Sequence, residues 1–140
     1  MNMPLRSVLV KDWMAANLVT LKPDMDVMDA LARLVEARIA GAPVVDHHGN
    51  MVGMLSEFDC MKVALDSSYH GQWGGRVSEF MTKDVITVPA DMSIIDLARR
   101  FQESRLRRFP VMDDTRLVGQ ISRRDVLRAL MSIAEGPHRA

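Results

Sequence analysis

The sequence predicts a mixed α/β (α+β) fold: two copies of a β-α-β-β-α unit packed sheet to sheet. Three observations carry that reading. First, the chain repeats itself. Val10, Asp12, Trp13 and Met14 reappear as Val77, Glu79, Phe80 and Met81, an offset of 67. The same offset pairs Thr20 with Thr87, Asp24 with Asp91, Met25 with Met92, Asp29 with Asp96, Pro43 with Pro110, Val44 with Val111 and Asp46 with Asp113. It falls to 66 for Gly53 with Gly119, Ser56 with Ser122 and Asp59 with Asp125, so one extra residue sits in the first copy's turn at His47, His48, Gly49 and Asn50. Second, each copy alternates short apolar runs with helical periodicity. Third, 140 residues with 48% apolar and 26% charged side chains are the composition of an ordinary globular chain. Copy one covers residues 8–66, a linker 67–75 and copy two 76–134, with a frayed tail at 135–140.

The elements follow in order. A helical turn ends at Met14 or Met81, and a short strand covers 18–21 or 85–88. The next helix takes Asp26 or Ser93 as N-cap, with an acid three residues later at Asp29 or Asp96. Val27, Ala30, Leu31, Leu34 and Val35 have helical spacing, as do Ile94, Leu97, Ala98 and Phe101. Gly41 is the expected stop of the first of these helices. A strand beginning on Pro43 or Pro110 comes next, where the missing N–H is tolerated. A tight turn leads to a third strand over 51–55 or 117–121, and a last helix covers 57–65 or 123–133. A unit of about 60 residues has little core of its own, so pairing two of them buries more. In the linker, Tyr69 and Trp73 are out of place in a pure tether and are expected to pack back onto the body.

Composition excludes several function classes. The formal net charge is +0, against bulk nucleic-acid binding. No apolar run approaches the roughly 20 residues that span a bilayer, and the N-terminus carries no recognisable signal peptide. Those features and the single cysteine, Cys60, suit a reducing cytoplasm. His47 and His48 lack further ligands at metal spacing, so no metal is expected. Cys60 reads as an apolar filler, and no catalytic arrangement or phosphate-binding loop stands out. The zero net charge hides an asymmetry: residues 1–70 hold 6 basic and 9 acidic side chains, residues 71–140 hold 12 and 9, and eleven of those 12 are Arg. Arg suits forked contacts with phosphate or carboxylate.

Both copies carry Gly-x-x-Ser-x-x-Asp where the third strand meets the last helix: Gly53, Ser56 and Asp59, then Gly119, Ser122 and Asp125. Ser followed three residues later by an acid is a helix-capping arrangement, which alone accounts for both residues. A helix N-terminus also favours an anion, a Ser hydroxyl can donate to phosphate or ribose, and an Asp carboxylate can accept both hydroxyls of a ribose. The two readings are compatible.

The repeat, the Pro-Val-x-Asp strand and the paired Gly-x-x-Ser-x-x-Asp resemble the tandem CBS domain pair, or Bateman module, over residues 8–134. With nothing substantial flanking the pair, it looks like a stand-alone module. The resemblance implies a pseudo-twofold unit with two clefts between the repeats. It implies an adenosine-containing ligand, such as AMP, ADP, ATP or S-adenosylmethionine, and no required cofactor. It also implies association as a homodimer. In the second copy Asp125 would hold the ribose and Ser122 the ribose or phosphate. Arg107 and Arg108 match the family's basic phosphate-contacting positions, and Arg124 lies in the helix start beside Arg123. Thr87, Val88, Phe109 and Pro110 would edge the adenine. The first copy offers Thr20, Ala42, Pro43, Ser56 and Asp59, but has Ala40 and Gly41 in place of the two Arg, and Glu57 in the helix start. The stronger site is therefore expected in the second copy.

The chain reads as a non-enzymatic regulatory sensor, without membrane or nucleic-acid partner and with an output partner that the sequence does not name. The alternative is a structural interaction module in which the Ser–Asp pairs are only caps. The 12 Met and the stripes Met61, Leu65, Leu127, Leu130 and Met131 on the last helices suggest core packing or a dimer face.

Overall fold

In a computed structural model, described for residues 7–70 and 74–135 with backbone only at 68–70, the chain forms a 3-10 turn (Val10–Asp12), α1 (Val27–Ala37), β1 (Gly41–Val45), β2 (Met51–Ser56), α2 (Glu57–His70), α3 (Val77–Phe80), β3 (Val88–Pro89), α4 (Ile94–Glu103), β4 (Arg108–Asp113), β5 (Arg116–Ser122) and α5 (Arg123–Glu135). The mixed α/β class with two small sheets agrees with the sequence.

The elements gather into two units that cut across the repeats. One is Val19–Val85; the other joins Met1–Leu18 to Ile86–Ala140. The leader of each copy thus belongs to the unit built mainly from the other copy. Val77 and Phe80 of α3 are buried with Leu21, Val27, Leu34, Val44 and Leu55. Val10 and Trp13 pack with Ile94, Leu97, Phe109 and Ile121. Each fully buried aliphatic side chain contributes about 1.5–3 kcal/mol.

In the Val19–Val85 unit, β1 and β2 pair antiparallel, with Gly41 opposite Ser56 and Pro43 opposite Met54. Only Leu21 of the strand expected at 18–21 joins the sheet: its N–H donates to Pro43 O and its O accepts from the Val45 N–H, both at 2.9 Å. On the far side of β2, Met54 exchanges two 2.9 Å hydrogen bonds with Thr82. This explains the internal prolines. Because Met54 turns its N–H and C=O toward Thr82, it asks nothing of Pro43, whose missing N–H leaves no ladder bond unmade. The other unit repeats the device. β3 runs parallel to β4 with Val88 opposite Val111, β4 pairs antiparallel with β5, and Pro110 faces Gln120, which exchanges two 2.9 Å bonds with Ala15. The strand expected at 85–88 is instead the two-residue β3.

The helix starts follow the sequence. An Asp26 carboxylate oxygen accepts from the Met28 N–H at 2.8 Å, and the Ser93 hydroxyl accepts from the Asp96 N–H at 3.1 Å. The stop of α1 does not. Arg38, not Gly41, takes the left-handed cap (φ 57°, ψ 43°), its N–H returning to Leu34 and Val35 carbonyls, while Gly41 opens β1. The expected tether at 67–75 is also partly helix, because α2 runs on to His70, with the Ser67 hydroxyl donating to Ala64 O at 2.9 Å. The Tyr69 and Trp73 side chains lie outside the described residues. Glu135 closes α5, and the rest of the expected tail at 136–140 lies outside them too.

Candidate functional site

Each unit places its Gly-x-x-Ser-x-x-Asp motif where a strand passes directly into a helix, β2 into α2 and β5 into α5. The motif glycines are set by close approach. A Cβ on Gly53 would lie 2.9 Å from Thr82 O, and one on Gly119 would lie 2.9 Å from Ala15 O, with Met81 and Met14 Sδ atoms closer still. Glycine is what lets the crossing leader lie against the sheet.

The Ser and Asp form complete reciprocal caps. The Ser56 N–H and hydroxyl both donate to Asp59 Oδ2 at 3.0 Å, and the Asp59 N–H donates to Ser56 Oγ at 3.0 Å. In the other unit the Ser122 N–H and hydroxyl donate to Asp125 Oδ2 at 2.9 and 3.0 Å, and the Asp125 N–H donates to Ser122 Oγ at 3.3 Å. Each hydroxyl proton is therefore committed to its Asp, and each Ser Oγ keeps one lone pair.

The two carboxylates differ beyond the cap. Asp59 also accepts from the Thr82 hydroxyl, at 3.1 and 3.3 Å, and from Lys62 Nζ at 3.4 Å; its side chain is 5% exposed. Asp125 accepts from Arg128 at 2.8 Å, and its side chain is 17% exposed. Sequence spacing of three residues offers both basic partners. Thr82 gave no local signal, because it lies 23 residues from Asp59.

Cations gather on the second motif. The Arg123 N–H donates to Arg107 O at 3.1 Å, and β4 registers Arg108 opposite Ser122, so Arg107 and Arg108 flank the start of α5. The Arg123 guanidinium is spent on Leu106 O (3.1 Å) and Arg105 O (3.3 Å). Arg107, Arg108 and Arg124 are exposed and form no ion pair among the described residues, Glu103 included. At the equivalent place in the other unit, the Glu57 N–H donates to Ala40 O at 2.7 Å; Ala40 and Gly41 stand there in place of Arg107 and Arg108, and Arg38 lines the same cavity as Ala40 and Glu57.

The base-edging positions are split. Val88 and Phe109 are fully buried, with the Phe109 ring 4.7 Å from Phe101, so their side chains belong to the core. Ala42, Pro43 and Pro110 are buried as well, while Thr20 and Thr87 are half-buried. Opposite Pro110, the Gln120 side-chain nitrogen is buried and without a hydrogen-bond partner among the described residues, a feature not singled out by the sequence.

Elsewhere, burial raises the Cys60 thiol pKa, helped by the Asp59 and Glu57 charges, which disfavours a thiolate nucleophile. Among the described residues no cluster of His, Cys, Asp and Glu could hold a metal, and no helix is long and apolar enough to cross a membrane.

Residues 10–66 and 77–132 each match the CBS domain family. The chain is 32% identical over 145 residues to the chloroplastic CBS domain-containing protein CBSX2 of Arabidopsis thaliana, covering 84% of this chain and 60% of that protein. It is 28% identical over 123 residues to protein MJ1225 of Methanocaldococcus jannaschii, covering 88% of this chain and 43% of that protein. The chain thus spans less than two thirds of either relative. CBSX2 has been solved in complex with AMP; that structure matches with a TM-score of 0.77 at 33% identity, over 91% of this chain and 98% of that one. The CBS domain pair of protein MJ0100, solved with 5'-methylthioadenosine and S-adenosyl-L-methionine, matches with a TM-score of 0.68 at 28% identity, over 89% and 97%.

Proposed function

This chain belongs to the CBS domain family, and on that premise we propose that it is a non-enzymatic regulatory module that binds an adenosine-containing ligand, AMP, ADP, ATP or S-adenosylmethionine, chiefly through its second motif. The observation that carries the proposal is the placement of three exposed arginines, Arg107, Arg108 and Arg124, around the start of α5 beside a partly exposed Asp125, with no ion pair to any of the three among the described residues. A ribose diol needs a carboxylate and a phosphate needs cations; this end of the sheet offers both. Asp125 takes the ribose, and Ser122 uses its free lone pair on a ribose hydroxyl. Thr87, Val88, Phe109 and Pro110 present backbone edges to the base, and the unpartnered Gln120 amide supports a polar ligand atom nearby. Thr20, Ala42, Pro43, Ser56 and Asp59 make the weaker site. The AMP, 5'-methylthioadenosine and S-adenosylmethionine seen with CBSX2 and MJ0100 support this reading over a purely structural one.

The module works as a homodimer in a reducing compartment such as the cytoplasm. Exposed Phe58, Met61 and Leu65 on α2 support an apolar association surface on one unit, and exposed Leu127 and Met131 on α5 support one on the other; Leu130 of the expected stripe packs against the core instead.

A thermal-shift panel with AMP, ADP, ATP, S-adenosylmethionine, adenosine, GMP and phosphate tests the proposal. A ligand at about 100 times its Kd adds roughly 2.7 kcal/mol of stability. A rise with an adenosine ligand and none with GMP or phosphate is expected. A flat panel on nucleotide-free protein overturns the ligand reading.

A further inference from the structure

The two motifs differ at one position that the capping scheme does not require. Met54 bridges Thr82 and Gln120 bridges Ala15, so Thr82 and Ala15 are equivalent residues of the two crossing leaders. Thr82 donates its hydroxyl to Asp59; Ala15 has nothing to donate to Asp125. A carboxylate has about four lone-pair sites. At Asp59 they are taken by the Ser56 N–H, the Ser56 hydroxyl, the Thr82 hydroxyl and Lys62. At Asp125 the donors among the described residues are the Ser122 N–H, the Ser122 hydroxyl and Arg128, which leave one site open. Lys62 and Arg128 are equivalent, long and more than half exposed, so a ligand can displace either, and they cancel in the comparison. The Thr82 hydroxyl is what remains.

We propose that Thr82 is a specificity-determining latch. It saturates Asp59 and closes that carboxylate to a ligand diol, and the Thr82/Ala15 difference assigns ligand binding to Asp125. This acts alongside the arginines but independently of them: the arginines select phosphate, whereas the latch controls access to the ribose-binding group. The inference rests on the reading under Proposed function.

The test is isothermal titration of the full chain with AMP and, in parallel, S-adenosylmethionine, comparing wild type with Thr82→Ala, Thr82→Ser and Ala15→Thr. Thr82→Ala should tighten the weaker site about tenfold, the worth of one hydrogen bond to a charged group. Asp59→Ala added to it should remove that gain. Thr82→Ser keeps the hydroxyl and should behave as wild type, which a role in packing alone would not produce. Ala15→Thr, at an exposed position, should weaken the stronger site by a similar factor, and it decides the matter should Thr82→Ala not fold. Ligand binding by wild type with Thr82→Ala and Ala15→Thr isotherms unchanged, or Thr82→Ser behaving as Thr82→Ala, overturns the latch and leaves the ligand reading standing. A wild type that takes up neither ligand overturns the ligand reading, and the latch with it.

Discussion

Arg128 donates a 2.8 Å hydrogen bond to Oδ1 of Asp125 while its guanidinium carbon sits 5.5 Å from the centre of the Trp13 ring. The same side chain therefore reports to an aromatic ring and occupies the carboxylate that a ribose would claim. A ligand on Asp125 must share or displace Arg128, and the cation then leaves the indole face.

Trp13 fluorescence follows as a direct reporter. In a Trp73→Phe background, which leaves Trp13 as the single tryptophan, saturating adenosine ligand should change the emission of Trp13. In Arg128→Ala the unliganded emission should already be shifted, and ligand should change it little. An equal ligand response in both proteins would sever Arg128 from the site.

The two motif carboxylates should separate by function. Asp125→Ala should abolish ribose-dependent binding with a modest loss of stability. Asp59→Ala should instead leave the strong site in place and destabilise by about 1–3 kcal/mol, because it strips the acceptor from Ser56 and Thr82 in a place where the Asp is 4% exposed. Isothermal titration and urea unfolding on the same two variants check both halves, and equal binding losses would refute the asymmetry.

Gly53→Ala and Gly119→Ala should each destabilise by about 1–3 kcal/mol, since the new methyl meets backbone oxygens of the crossing leaders at 2.9 Å and backbone yields less readily than a side chain. Urea midpoints measure this. Wild-type midpoints in both variants would mean that the leaders shift freely.

Asp46 predicts a pH signature. The hydrogen bond from the Asn50 N–H, opposed by desolvation and assisted by the weaker His48 N–H bond and the nearby His charges, holds its carboxyl below the ordinary value of 3.8. A depressed folded value means that the unfolded state binds the proton more readily, so this turn adds stability above the unfolded pKa and loses it as pH falls through the folded one. The gap in urea midpoint between wild type and Asp46→Asn should thus be constant near neutrality and close as pH drops below 3.8. A gap that persists unchanged in acid would assign the turn's stability to something other than the charge.

What the sequence determined by itself was everything set by short-range chemistry. The caps at Asp26 and Ser93, the strand-to-helix passages at Ser56 and Ser122, and the helical spacing of Leu34 and Leu97 depend on neighbours within a few residues, and the repeat displayed each of them twice. The cluster of arginines before Phe109 was likewise visible as letters. Tertiary structure alone decided the partners of those groups. No periodicity links Met54 to Thr82 or Gln120 to Ala15, yet those pairings explain why residue 53 is Gly, why Pro43 sits harmlessly inside a strand, and why Asp59 is saturated while Asp125 is not. Local signals could not have ended α1 at Arg38 instead of Gly41 either, because Gly41 is held in β1 by its pairing opposite Ser56, fifteen residues away. Backbone hydrogen bonds and close packing are satisfied wherever the chain returns, and that place is set by the whole fold.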